Sequence, residues 1–402
     1  MGELPESRGI ENVHAFTYAR TFAAPTPSGA DGGAQCAAPD PGGGTAPVRR
    51  SRCLLVIEQF WTANYWHWLT DALPKALLFI EMRDAGQLDP ECKVLAYDLG
   101  WNLPYLQLAG FEAGQVLPYD PTAVHHACRV LLPSPSALDA ISTRSLRSLR
   151  HAILPAAAAA LSAAAAAGAA AAASAAAVTS KAPKGLVLVQ IRGTSGDSVH
   201  GAGRTLSNLD GLMRVLAEAF RPTGGGDLGR GGGGSGGGEG GGEGGGGRGG
   251  GGGGDGGGGG GGGRGGAGGA REAEVSRFEH SGMPVAEQVA LHQRADVIVG
   301  VHGAGLANVL WARPGCHVIE IVPIDVHLDF QCALTPFWYV SELLGLRKHA
   351  FIAYAGRMFE TFELPLVEFC AFLRAAGVVA QGGGLLADPD RDRDADRARD
   401  GV

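Results

Sequence analysis

Between Gly224 and Gly269 the sequence holds 36 glycines, broken only by scattered residues such as Asp227, Glu239 and Arg264. A run of this composition has almost no side chains to bury and behaves as a flexible coil, so no single core is continuous in sequence across it. A second run, Ala156 to Ala177, is almost pure alanine. The first fifty residues are rich in Gly, Pro and Ala, and Asp388 to Asp400 alternates Asp and Arg. Neither end carries enough apolar side chains to offset the entropy of ordering. The expected organisation is a disordered or incomplete N-terminal segment over 1–50 and an α/β half over 51–154. An Ala-rich insertion follows over 155–183, then a second α/β half over 184–380 with the Gly-rich insertion at 224–270, and a disordered charged tail over 381–402. Both runs read as expansions of surface loops, where added length raises closure entropy only slowly.

Composition excludes several functions. The formal charge is −7, and no basic stripe with interleaved aromatics occurs, so nucleic acid is not an expected partner. Seven cysteines without a CxxC pair argue against a zinc site, and their odd number weighs against a full disulfide framework. The start, Met1 to Glu6, has neither the basic nor the apolar region of a signal peptide, and no Asn-x-Ser/Thr sequon is present. The alanine run is long enough to span a bilayer, but alanine contributes little transfer free energy and no aromatic belt flanks it. It reads as a helical or disordered insertion, leaving no visible membrane anchor.

The remaining blocks alternate short apolar runs with helical spacing. In the first, Leu54 to Ile57, Lys93 to Tyr97 and Arg129 to Leu132 read as strands; Tyr65 to Met82, Pro104 to Ala109 and Leu138 to Leu149 read as helices. In the second, strands are expected at Leu186–Ile191, Val275–Phe278, Val297–Val301 and His317–Val322. Helices are expected at Leu209–Phe220, Val285–Arg294, Ala304–Trp311 and Tyr339–Leu344. This rhythm gives two βα-rich halves with mostly parallel sheets, suited to a ligand at the carboxyl ends of the strands.

Three constellations carry polar chemistry. The strand Val297 to Val301 runs into His302-Gly303-Ala304-Gly305 and then a helix. Glycine there permits close backbone approach, and a helix start offers unpaired N–H groups, a place for a diphosphate. The same glycines can equally serve only to pack helix on strand. Glu320, at the expected end of the following strand, can accept hydrogen bonds from ribose hydroxyls. In the second constellation, Asn64, His67 and Asp71 share a helix face amid Trp61, Trp66 and Trp68, with Asp71 placed to orient His67. Its plainer reading is a helix start capped by Asn64 with a buried histidine. Third, Arg192, Arg204 and Asn208 follow the strand ending at Ile191, where arginine forks can pair with phosphate oxygens or simply decorate a loop. Gly303-x-Gly305 matches part of a dinucleotide fingerprint, but Asn308 stands at the third glycine position, so an NAD-linked oxidoreductase is the weaker alternative.

Taken together, Asn64-Tyr-Trp-His-Trp-Leu-Thr-Asp71-Ala-Leu-Pro74, Glu287-Gln288, Ala295 through Asn308, and Pro314-Gly315 through Glu320 resemble glycosyltransferase family 61. The resemblance implies a GT-B-like fold of two facing Rossmann-like halves and an inverting, metal-independent transfer from a UDP-sugar to a hydroxyl of a glycan or protein. No cofactor is implied beyond the donor substrate, and the implied location is the Golgi or ER lumen. By the same resemblance, Arg192, Arg204, Asn208, His302, Gly303, Ala304, Gly305, Asn308 and Glu320 bind the donor, and Asn64 and Trp66 lie on the acceptor side. The base is His67 oriented by Asp71, or Asp71 itself. A catalytically inactive, glycosyltransferase-like binding protein is the other alternative.

Overall fold

A computed structural model of the chain describes residues 47–57, 63–133, 142–172, 185–191, 205–222, 270–279, 282–324, 331–354 and 361–386. Two parallel sheets organise them. The first contains β1 (Val48–Val56), β2 (Lys93–Ala96), β3 (Val116–Pro118) and β4 (Val124–Leu131) in the order β3-β2-β1-β4. The second contains β5 (Gly185–Gln190), β6 (Ala273–Phe278), β7 (Val297–Val301), β8 (His317–Ile324) and β9 (Arg347–Tyr354) in the order β6-β5-β7-β8-β9. Among the described residues, the strand pairings within both sheets are all parallel. The chain order therefore reverses between β1 and β4 in one sheet and between β5 and β7 in the other. Such switch points open a crevice at the carboxyl ends of the strands.

Helix α1 begins at Tyr65–His67, widens into a π turn at Trp68–Ala72 and continues as Leu73–Asp84. Pro74 lacks the N–H that would bond the carbonyl of Thr70, and the widened turn falls at that place. Helix α2 is Asn102–Leu108, and α3 is Thr143–Ala172. The second half carries α4 (Leu209–Ala219), α5 (Val285–Arg294), α6 (Gln331–Leu344) and α7 (Leu366–Ala375).

Several expectations move. The alanine run does not stand apart: through Ala172 it continues α3, whose Leu146, Leu149, Ile153 and Ala157 are buried. These lie on one face at helical spacing, and α3 packs against α1 and α2 of the first half and against α5 of the second. By length and composition Thr143–Ala167 can also cross a bilayer. The Ala304–Trp311 helix is 3₁₀ rather than α. Strand β8 passes Glu320 and ends at Ile324, because Ile321-Val-Pro-Ile324 extends the apolar run. Strands β3 and β9 and helix α7 add to the expected elements. The Gly-rich run, the N-terminal segment to residue 46 and the tail from 387 lie outside the described residues.

One core joins the halves. Trp68, Leu73, Tyr105 and Ile153 from the first half pack in the same cluster as Ile298, Leu310 and Trp311 from the second. A separate cluster fills the opposite face of the second sheet beneath α4 and α7.

Cys53 in β1 and Cys92 just before β2 form a disulfide, and Cys128 is also disulfide-bonded. Cysteine counting does not reveal this pairing; only the topology brings 53 and 92 onto neighbouring strands. The bond closes a loop of 39 residues, for which chain entropy gives about 3–4 kcal/mol. Urea unfolding of the Cys53→Ala/Cys92→Ala variant is expected to show a loss of that size. Superimposable unfolding curves would mean that the bond contributes nothing to stability.

Candidate functional site

The two polar motifs leave the carboxyl ends of β1 and β7, each at the switch point of its sheet. At the first, Asn64 is the N-cap of α1, and its Oδ1 accepts from Trp66 N at 3.0 Å. One turn later His67 Nδ1 lies 3.3 Å from Asp71 Oδ2, with side chains 16% and 9% exposed. Asp71 sits inside the π turn, a local widening frequent at functional sites. Trp66 is buried and meets the ring of Phe337 edge-on at 4.8 Å. It therefore belongs to the contact between halves.

At the second switch point the His302 N–H bonds Ile321 O at 2.8 Å, which continues the sheet for one residue beyond β7. Residues 302–305 are partly exposed, whereas Leu306 through Ala312 are buried. The N–H of Leu306 donates to Gly303 O at 3.0 Å. The N–H groups of Ala304 and Gly305 precede that first 3₁₀ bond and form the donor end of the helix. Its other end is held by side chains. Arg150 of α3 donates to Leu310 O and, at 2.9 Å, to Ala312 O, and Gln293 donates to Trp311 O.

Register explains why glycine stands at 300. Gln190, Gly300 and Glu320 form one row across β5, β7 and β8. A Cβ at Gly300 would lie 2.9 Å from Leu306 Cδ2 and 3.2 Å from Gln190 Oε1. Without it, Gln190 Nε2 reaches Gly305 O at 3.2 Å and His292 Nε2 at 3.0 Å. His292 Nδ1 in turn donates to Gln288 O at 2.7 Å. The turn is thus braced from below by β5 and α5.

Glu320 is fully buried. Its Oε1 lies 2.5 Å from His302 Nδ1, and its Oε2 takes the Lys348 ammonium. Burial lowers the Lys348 pKa, opposed by the charge and hydrogen bond of Glu320. Asn308, also fully buried, accepts from Tyr65 OH at 2.7 Å, and Tyr65 OH lies 2.7 Å from Tyr105 OH. Burial raises both phenols, Tyr105 to about 12, so both are protonated and available as donors. Asn308 thereby ties the 3₁₀ helix Ala304–Trp311 to α1 and α2.

The other expected residues lie elsewhere. Asn208 Nδ2 donates to Leu364 O at 2.8 Å and its Oδ1 accepts from Leu364 N at 3.1 Å, so its amide fastens the start of α4 to the segment before α7. Arg192 and Arg204 lie outside the described residues. Lys348, Gln190, His292, Tyr65 and Tyr105 build the site without having been singled out by the sequence. The signal for Gln190 is a polar residue closing the apolar strand Leu186–Val189.

Residues 268–319 match the family model Glycosyltransferase 61. The match runs from β6 through the 302–305 turn into β8 and stops one residue before Glu320. No curated protein matches the chain. This stretch is distantly homologous to glycosyltransferase 61.

Proposed function

We propose that this chain is an inverting, metal-independent glycosyltransferase that moves a sugar from a UDP-sugar to a hydroxyl of a glycan or protein acceptor, on a GT-B-like pair of halves. The observation that carries the reading is the convergence of the two motifs. Both leave strand ends at switch points, and Phe337 touches Trp66 on one side and the His302 ring, at 5.7 Å, on the other. The donor diphosphate lies against the N–H groups of Gly303, Ala304 and Gly305, with Arg192 or Arg204 as the pairing guanidinium. The acceptor hydroxyl attacks the anomeric carbon, the bond to UDP breaks with its electron pair on the diphosphate, and the hydroxyl proton passes to His67, oriented by Asp71, or to Asp71 itself. Helix N–H groups and arginine offset the charge on the leaving group. The disulfides suit an oxidising compartment and support a Golgi or ER-lumen location.

A thermal-shift panel of nucleotides and nucleotide sugars tests the reading, since a ligand of the native state alone raises stability by mass action. UDP and at least one UDP-sugar are expected to raise the melting temperature and NAD to leave it unchanged; a response to NAD alone would reverse the assignment. Transfer is expected to survive EDTA. Activity lost with chelator and restored by manganese would overturn the metal-free account of the leaving group.

A further inference from the structure

Among the described residues, three aromatic side chains are left largely in water: Trp338 at 51%, Tyr339 at 41% and Tyr354 at 77% exposed. They are not scattered. Trp338 and Tyr339 follow Phe337 on α6, and the Phe337 ring meets both Trp66 and His302. Tyr354 is the last residue of β9, in register with Ile324 at the carboxyl end of the second sheet. All three thus stand at the edge where a parallel sheet admits ligands. Leaving these rings in water forgoes the stabilisation that burial gives large aromatics, and exposed apolar side chains grouped at one edge mark a binding surface. Helical spacing adds a polar partner. Phe337, Val340 and Ser341 are buried, so Trp338 and Glu342, four residues apart and both exposed, share a flank outside the core. An aromatic plane beside a carboxylate matches a neutral pyranose. The C–H bonds of one sugar face lie on the ring, and the sugar hydroxyls donate to the carboxylate, which only accepts. The same carboxylate disfavours a nucleotide as the occupant, because it repels a diphosphate.

We propose that Trp338 and Glu342, with Tyr339 and Tyr354 along the same edge, form a subsite for a neutral glycan chain, the acceptor. This rests on the glycosyltransferase reading above and narrows its acceptor to a glycan whose pyranose rings present an apolar face. Phe337, next to Trp338 in the chain, touches the acceptor-side Trp66, so the subsite adjoins that side.

Calorimetry and tryptophan fluorescence on the full chain test it, with cellohexaose, xylohexaose and hexagalacturonate as probes and UDP as the control for the nucleotide site. At least one neutral hexamer is expected to bind and to shield Trp338 from iodide quenching, the Trp338 signal being assigned by its loss in Trp338→Phe. The acidic hexamer is expected to bind at least about tenfold more weakly, and Glu342→Gln to narrow that gap. Trp338→Ala is expected to weaken the neutral hexamer about tenfold and Trp338→Phe by about threefold or less, with UDP affinity within about twofold in both. A neutral hexamer bound equally by wild type and Trp338→Ala would overturn the proposal. So would wild-type protein that binds UDP and neither neutral hexamer. Sedimentation tests for a protein occupant: a wild-type dimer that Trp338→Ala dissociates would make this edge a contact between copies and overturn the proposal as well. Wild-type protein that binds a neutral hexamer, loses it in Trp338→Ala and binds neither UDP nor a UDP-sugar would keep the subsite and refute the transferase reading instead.

Discussion

Replacing Glu320 with alanine is expected to destabilise the protein by about 3–5 kcal/mol, the usual penalty for stranding one member of a buried ion pair. Glu320 has no exposed surface and the Lys348 side chain is 3% exposed, so the stranded ammonium has little water to turn to. Burial already pulls the Lys348 pKa below that of a lysine in water, and Glu320 is what opposes the shift. Without the carboxylate the pKa falls further. This sets the sign of the pH dependence. Between a lowered native pKa and the ordinary lysine value the unfolded chain binds the extra proton, so stability from this group rises with pH. The window opens at lower pH in the variant, and its deficit relative to wild type is therefore largest near neutrality and shrinks as pH rises into the alkaline range. Urea unfolding at several pH values above neutrality measures both quantities. A deficit under about 1 kcal/mol, or one that grows with pH, would show that Glu320 does not hold the charge of Lys348.

That pair marks where the sequence was readable and where it was not. Short apolar runs such as Val297–Val301 and the 3.6-residue spacing of Val285–Arg294 appear in the structure with the expected bounds, because local periodicity alone decides them. Strand β9 begins Arg347-Lys-His349 and has no apolar onset, so periodicity passes over it, and with it Lys348. The partners of Glu320 come from strands on either side, and a linear pattern carries no information about lateral neighbours. The π turn at Trp68–Ala72 is a response to Pro74 that ideal helical spacing does not anticipate. Asn308 is instructive in another way. Its place in the motif suggested ligand contact, yet its carboxamide is buried under Tyr65 and Tyr105, and it joins the two halves. A polar residue in a distinctive motif can thus serve the scaffold that holds the site.

The separation of the two motifs makes the second large prediction possible. His67 and Asp71 belong to α1 and the 302–305 turn to the other sheet, so substitutions in each are expected to give separable defects. His67→Ala is expected to lower turnover by about 10²–10⁴, the usual worth of positioned proton transfer, while UDP affinity hardly moves. Gly303→Val places a branched side chain where the proposed function puts the diphosphate against the backbone and is expected to weaken UDP binding directly. Asp71→Asn distinguishes the two candidates for the base. An orienting carboxylate 3.3 Å from the imidazole leaves a protonatable His67 behind when neutralised, so its loss costs less than that of His67; a carboxylate that takes the proton itself costs at least as much. Calorimetric titration of UDP into each folded variant, paired with turnover, separates these cases. A folded His67→Ala protein that had lost UDP affinity, beside a Gly303→Val protein that kept it, would exchange the donor and acceptor sides. Even then both motifs would still lie at the switch points where parallel sheets admit ligands.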